Sequence, residues 1–224
     1  VDIKFDLIWN ARTPLLHGTL VTLEVAFLAL GVALVLGLPL ALMRSSKLKI
    51  LSLPAFLYIQ FFRGTSLYVL ILWVFFGLSI AFKINLQPFP SAVLCLGLLN
   101  SAYMAEVYRT GLGTVGFGQR EAARSLGVAE IPIFRLVVLP QALRVIIPSA
   151  VNLFVDMLKD AAIVGVVGVW DLMKQADRLT KFHFRPFEFY TASAVIYFVV
   201  VFAFSRLVAV LEKRYSRHVQ REGV

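Results

Sequence analysis

Asp156, Lys159 and Asp160 stand inside an apolar stretch that runs from about Ile147 to Val169. On a helix, Asp156 and Lys159 (i,i+3) can pair, whereas Asp156 and Asp160 (i,i+4) are like charges on one face. At the centre of a bilayer an isolated charge costs about 2.5–3.5 kcal/mol on insertion scales, so three cannot stand unrelieved. A leftover carboxylate then needs a cation on another helix, a water-filled cavity, or the cationic group of a bound solute. Two readings stand side by side: the cluster lines a pathway for a polar solute, or it locks helices together as an ion pair.

A second polar interruption, Arg63-Gly64-Thr65-Ser66, falls within the apolar run from about Pro54 to Phe82, which is too long for one straight crossing. A helix broken there exposes backbone groups able to hold a carboxylate or an amine near the membrane midplane. Arg63 serves equally as a structural cation satisfying carbonyls at the break. Glu106, three residues before Arg109, reads as a local ion pair. Glu24 sits near the outer end of the first apolar run, facing a partner or reaching toward water.

Other chemistries find no support. Cys95 is alone in an apolar run, and His17, His183 and His218 are scattered, without metal-ligand spacing. Gly111, Gly113 and Gly116 satisfy G-x-G-x-x-G, but they follow an apolar helix rather than a strand, so no dinucleotide site is expected. No G-x-x-x-x-G-K-[ST] occurs. The chain is expected to be no enzyme, to bind no cofactor or metal of its own, and to meet no nucleic acid.

The elements that must position these residues are membrane spans. Of 224 residues, 59% are hydrophobic and 16% charged, with mean hydropathy +0.82, against roughly 45–50% and about 25% in soluble domains. Five segments reach the ~20 apolar residues a crossing needs: about Gly18–Met43, Pro54–Phe82, Pro90–Tyr108, Ile147–Val169 and Phe187–Leu211. The expected fold is an all-α integral membrane protein with about five transmembrane helices. Residues 1–17 form an external segment, 18–211 the membrane unit with a loop at about 109–146, and 212–224 a basic tail.

The net charge of +9 is mostly topology. Arg44, Lys47, Lys49, Arg109, Arg120, Arg124, Arg135, Arg144, Arg206, Lys213, Arg214, Arg217 and Arg221 fall on one side. Lys4, Arg12, Lys83, Lys174, Arg178, Lys181 and Arg185 fall on the other. The richer side is expected to be cytoplasmic, leaving the N-terminus outside and the C-terminus inside. Small residues recur every fourth position at Ala29, Ala33, Gly37 and at Gly97, Ser101, Ala105. They form either close-approach faces between helices or a chance pattern in Ala- and Gly-rich runs. The segment from Trp170 to Arg185 reads as an amphipathic outer helix, a gate and docking surface or an interfacial anchor.

The loop from Arg109 to Ile146 is long for a connection without a role. Gln119 to Leu126 is rich in helix formers, and Gly127 suits a left-handed helix end. A second short helix is expected from Pro132 to Leu139. Ala122 and Ala123 leave so little bulk that the first helix can seat in a partner's groove, with Arg120, Glu121 and Arg124 at the rim. An interfacial helix lying on headgroups is the alternative.

Glu121-Ala122-Ala123, Gly127 and Leu139-Pro140-Gln141-Ala142 resemble the "EAA" loop of binding-protein-dependent ABC importer permeases of type I fold. The resemblance extends to Phe62-Arg63-Gly64-Thr65, Ser101 to Glu106, Leu158-Lys159-Asp160 and Gly165 to Leu172, and is greatest to the polar amino acid branch. Ser66 departs from the proline common at its place, which puts the kink there in doubt. The resemblance implies that Glu121, Ala122, Ala123 and Gly127 couple the chain to a separate cytoplasmic dimer of ATP-binding subunits, which carry ATP and Mg. It further implies a second permease subunit, identical or homologous, an external solute-binding protein, and a bacterial inner membrane. The solute path is expected to run along Arg63, Gly64, Thr65, Ser66, Asp156, Lys159 and Asp160. A compatible solute or an opine is the alternative cargo; a channel or secondary transporter is the distant alternative.

Overall fold

The computed structural model describes residues 6–216, without the side chains of Phe117 and 211–216. Residues 1–5, with Lys4, and 217–224, with Arg217, His218 and Arg221, lie outside the described residues, as do the side chains of Lys213 and Arg214. A short helix α1 (Asp6–Asn10) leads into α2 (Arg12–Arg44), which starts at Arg12 rather than at Gly18. There follow α3 (Lys49–Gly64), α4 (Leu67–Phe82), α5 (Pro88–Gly113), α6 (Phe117–Ser125), α7 (Glu130–Val167), α8 (Leu172–His183) and α9 (Pro186–Ser216). Four of these, α2, α5, α7 and α9, are continuous helices long and apolar enough to cross a membrane. α3 and α4 together make a fifth candidate, bent by 102° at the break.

That break is the interruption read in the sequence, and it forms with serine in place of proline at residue 66. α3 ends at Gly64, while Thr65 and Ser66 adopt extended backbone. The Thr65 hydroxyl donates to the Phe61 carbonyl at 2.7 Å. One of the carbonyls orphaned at a helix end is thereby satisfied locally.

The small-residue faces pack α2 on α5: Ala29, Ala33, Gly37, Gly97, Ser101 and Ala105 are all buried. A Cβ on Gly97 would lie 2.7 Å from the Cβ of Val32, so only hydrogen fits. With apolar tails as the surrounding solvent, this close backbone approach lets van der Waals packing hold the two helices together. Val25, Ala29, Ile71, Leu96, Met157 and Val164 make the central core, drawn from α2, α4, α5 and α7.

Two elements depart from expectation. The segment 132–139 is not a separate helix; it continues through Pro140 into α7. A widened π-turn over Phe134–Val138 precedes the proline and accommodates the missing N–H and the ring clash with the carbonyl four residues back. α7 also tightens to 3₁₀ over Ala161–Val167, directly after Asp160, and ends on Gly168 at φ 98°.

The amphipathic outer segment folds as α8, capped by Asp171. The Asp171 carboxylate accepts from the N–H groups of Met173 (3.2 Å) and Lys174 (3.1 Å). Leu172 and Leu179 pack on Leu15 and Phe189 at this end of the bundle, and the Arg178 guanidinium lies 5.6 Å from the Trp170 ring.

Candidate functional site: a polar cavity and an outward helix

A cavity of about 390 Å³ opens among α3, α5 and α7. α5 contributes Tyr103, Glu106, Val107 and Thr110, which fall at i, i+3, i+4 and i+7 and so share one helix face. α7 contributes Val145, Ser149, Asn152, Leu153 and Asp156 with the same periodicity. By helix rise the α7 wall is about 16 Å long from Val145 to Asp156. Arg63, the last but one residue of α3, closes the third side, its guanidinium 5.4 Å from the Tyr103 ring.

The structure thus brings Arg63 and Asp156 to one cavity but leaves Gly64, Thr65, Ser66, Lys159 and Asp160 off its lining. Lys159 instead pairs with Asp156 at 2.8 Å, with both side chains more than half exposed. Asp160 is half-buried and, among the described residues, has no hydrogen-bond or ion-pair partner. Glu106 does two things at once: it pairs with Arg109 at 2.6 Å and lines the cavity. Tyr103, Thr110, Ser149 and Asn152 escaped the sequence reading. Their signal was present as polar residues at helical spacing, Tyr103/Glu106/Thr110 and Ser149/Asn152/Asp156, each set on one face of an apolar helix.

Such a wall offers a cation, carboxylates, hydroxyls and an amide around a space the size of a small solute. It suits a polar molecule of either charge better than an apolar one. Glu24 is exposed on α2 and does not line this cavity.

At the end of the bundle away from α8, α6 projects from three anchors. The Arg120 guanidinium donates to the Leu112 carbonyl of α5 at 2.8 Å. The Gln141 amide of α7 donates to the Gln119 side-chain oxygen at 2.9 Å. Arg124 pairs with Glu130 at 2.5 Å, a contact that holds the guanidinium above its ordinary pKa. Beneath these, Val115, Ile133 and Val138 form an apolar patch against which Ala123 packs. Of the residues read as a docking face, Glu121 and Ala122 point outward, whereas Ala123 turns into this patch.

Gly127 follows the helix at φ +77°, the left-handed conformation expected of it, with nothing within 4 Å of where a Cβ would be. Leu126, 83% exposed beside it, is an apolar residue of the outward face that the sequence reading did not single out. Gly111, part of the misleading glycine pattern, serves packing: a Cβ there would lie 2.5 Å from Ile146 Cγ1.

A broken helix pair, a polar cavity between spans and a small helix held out on rigid anchors define the membrane subunit of a transporter. The chain belongs to the family described as binding-protein-dependent transport system inner membrane component, whose model matches residues 33–217. It is 38% identical over 202 residues to the probable amino-acid ABC transporter permease protein PatM of Vibrio harveyi, covering 88% of this chain and 91% of that one. It is 32% identical over 215 residues to the glutamine transport system permease protein GlnP of Escherichia coli K12, covering 96% and 98%. The crystal structure of an amino acid ABC transporter with histidines superposes with a TM-score of 0.90 at 39% identity, covering 96% of this chain and all of that one.

Proposed function

We infer that this permease subunit carries polar amino acids inward in an ATP-driven, binding-protein-dependent importer. The observation that carries the reading is the cavity walled by Arg63, Glu106, Asn152 and Asp156. It pairs groups for a carboxylate with groups for an amine, and relatives over nearly the whole chain are named for amino acids. Asp156 and Arg63 serve as the charged ends of the solute path. Lys159 balances Asp156, and Asp160 stands where α7 tightens to 3₁₀. Gly64, Thr65 and Ser66 shape the bend that delivers Arg63.

In this reading α6 faces the cytoplasm, as the positive-inside rule requires, and α8 and the N-terminus face outward. Residues 18–211 are the membrane unit, and 109–146 the coupling loop. Glu121, Ala122 and Leu126 seat in a groove of a cytoplasmic ATP-binding subunit, which holds ATP and Mg. Ala123 and Gly127 fix the angle of the seat. A second permease, identical or homologous, completes the path, and an external solute-binding protein delivers to the α8 side.

Reconstitution of the permease with its ATPase and binding protein in liposomes tests this. ATP-dependent uptake of radiolabelled L-glutamine, L-histidine or L-arginine is expected. Uptake of none of them, or uptake without ATP, would overturn it.

A further inference from the structure

A second cavity, of about 500 Å³, lies where α6 is clasped to α7. Its polar wall is Thr114, Gln119, Gln141 and Arg144, and its apolar wall includes Pro140 and Val145. No Asp or Glu lines it. Arg144 is half-buried, and among the described residues no carboxylate pairs with it. A guanidinium offers five N–H donors in a fixed fork that matches a carboxylate. The primary amide of Gln119 adds donors of its own, because its oxygen is the one engaged by Gln141. Val145 lines both this cavity and the solute path, so the two adjoin through one side chain.

We propose that this pocket is a separate binding site for a small carboxylate-bearing solute entering from the α6 side, with Arg144 as its carboxylate receptor. It rests on the importer reading, under which the ligand is the transported amino acid after release. The Gln119–Gln141 bond is part of the pocket wall, so an occupant stiffens the clasp that holds α6. Accumulated product then slows the motion that couples import to ATP.

The test uses the permease–ATPase complex in nanodiscs, without the binding protein. Equilibrium binding of radiolabelled L-glutamine, L-histidine and L-arginine is measured for wild type, R144Q, R144K and N152A. The expected result is an Arg144-dependent component competed by the free amino acid but not by its alcohol analogue (glutaminol, histidinol or argininol). R144Q weakens it roughly tenfold to a hundredfold, as for a hydrogen-bonded charge; R144K weakens it less, and N152A spares it. Binding indifferent to R144Q, or competed equally by the alcohol, overturns the proposal. So does loss of the ATPase from R144Q complexes, which would make Arg144 an assembly contact. Absence of ATP-driven uptake beside intact Arg144-dependent binding would overturn the importer reading alone. Intact uptake with no such binding would overturn this proposal alone.

Discussion

Gly37 of α2 meets Met104 of α5 so closely that a Cβ on Gly37 would lie 2.9 Å from the Met104 Cβ. Three buried small residues of α2 and three of α5 make this seam, and it sets the frame on which Tyr103 and Glu106, either side of Met104, reach the cavity.

Enlarging the seam is expected to separate the helices. G97V should destabilise the subunit by about 1–3 kcal/mol, the range for overpacking, because its new atoms enter the space of Val32. The smaller G97A should cost less than G97V but still be measurable, because the Val32 Cβ lies 2.7 Å from where its single added carbon would sit. Thermal unfolding in detergent, read by a monodisperse chromatographic peak, checks both; a G97V protein as stable as wild type would refute the seam.

The path residues should separate transport from folding. Asp156 lines the cavity with its side chain more than half exposed, so replacing it with the isosteric amide opens no packed core. D156N is therefore expected to unfold within a few degrees of wild type while uptake falls about tenfold or more. K159Q should fall less, since Lys159 does not line the cavity. Equal uptake in D156N and wild type would remove Asp156 from the path.

The α6 face should divide by direction. L126D is expected to abolish copurification of the ATP-binding subunit and leave the permease folded, because Leu126 stands free. A123L should instead disturb the Val115–Ile133–Val138 patch and lower thermal stability. At Gly127 the strain is purely of backbone: G127A should cost about 1 kcal/mol and weaken coupling, with G127N milder. Pull-down of the ATPase, measured against permease stability, distinguishes the three.

Asp171 gives the pH prediction. Burial pushes its carboxyl up to about 6 from an ordinary 3.8, although the N–H groups of Lys174 and Met173 favour the anion. The folded state then binds the proton more tightly than the unfolded one. This group's contribution to stability is greatest below pH 3.8 and is lost as pH rises through about 6. D171N keeps the capping oxygen without the charge, so it should match or exceed wild-type stability at pH 7.5 and flatten the pH dependence between those values. D171A loses the cap and should cost about 0.5–2 kcal/mol. Unfolding temperatures from pH 4 to 8 for the three proteins decide it.

Much of the architecture could be read before any coordinate. The apolar runs, the break at Arg63–Ser66, the small-residue faces and the left-handed Gly127 are local facts of composition and backbone chemistry, and each appears where the residues put it. Which way a side chain faces is not a local fact of this kind. Ala122 and Ala123 are adjacent and chemically identical, yet one points outward and the other into its own chain's patch. Pro140 reads as a helix stop, but a π-turn built by the preceding residues carries α7 through it.

By itself the sequence determined that this chain lives in a bilayer, roughly where it crosses, where a crossing breaks, and that a short helix lies between the third and fourth crossings. Those follow from transfer free energies and φ,ψ limits that act residue by residue. Only the tertiary structure decided that Arg63, Glu106, Asn152 and Asp156, spread over 94 positions of chain, face one cavity while Lys159 and Asp160 do not. That choice depends on the rotation of α3, α5 and α7 about their own axes, which interhelical packing sets and no single segment encodes.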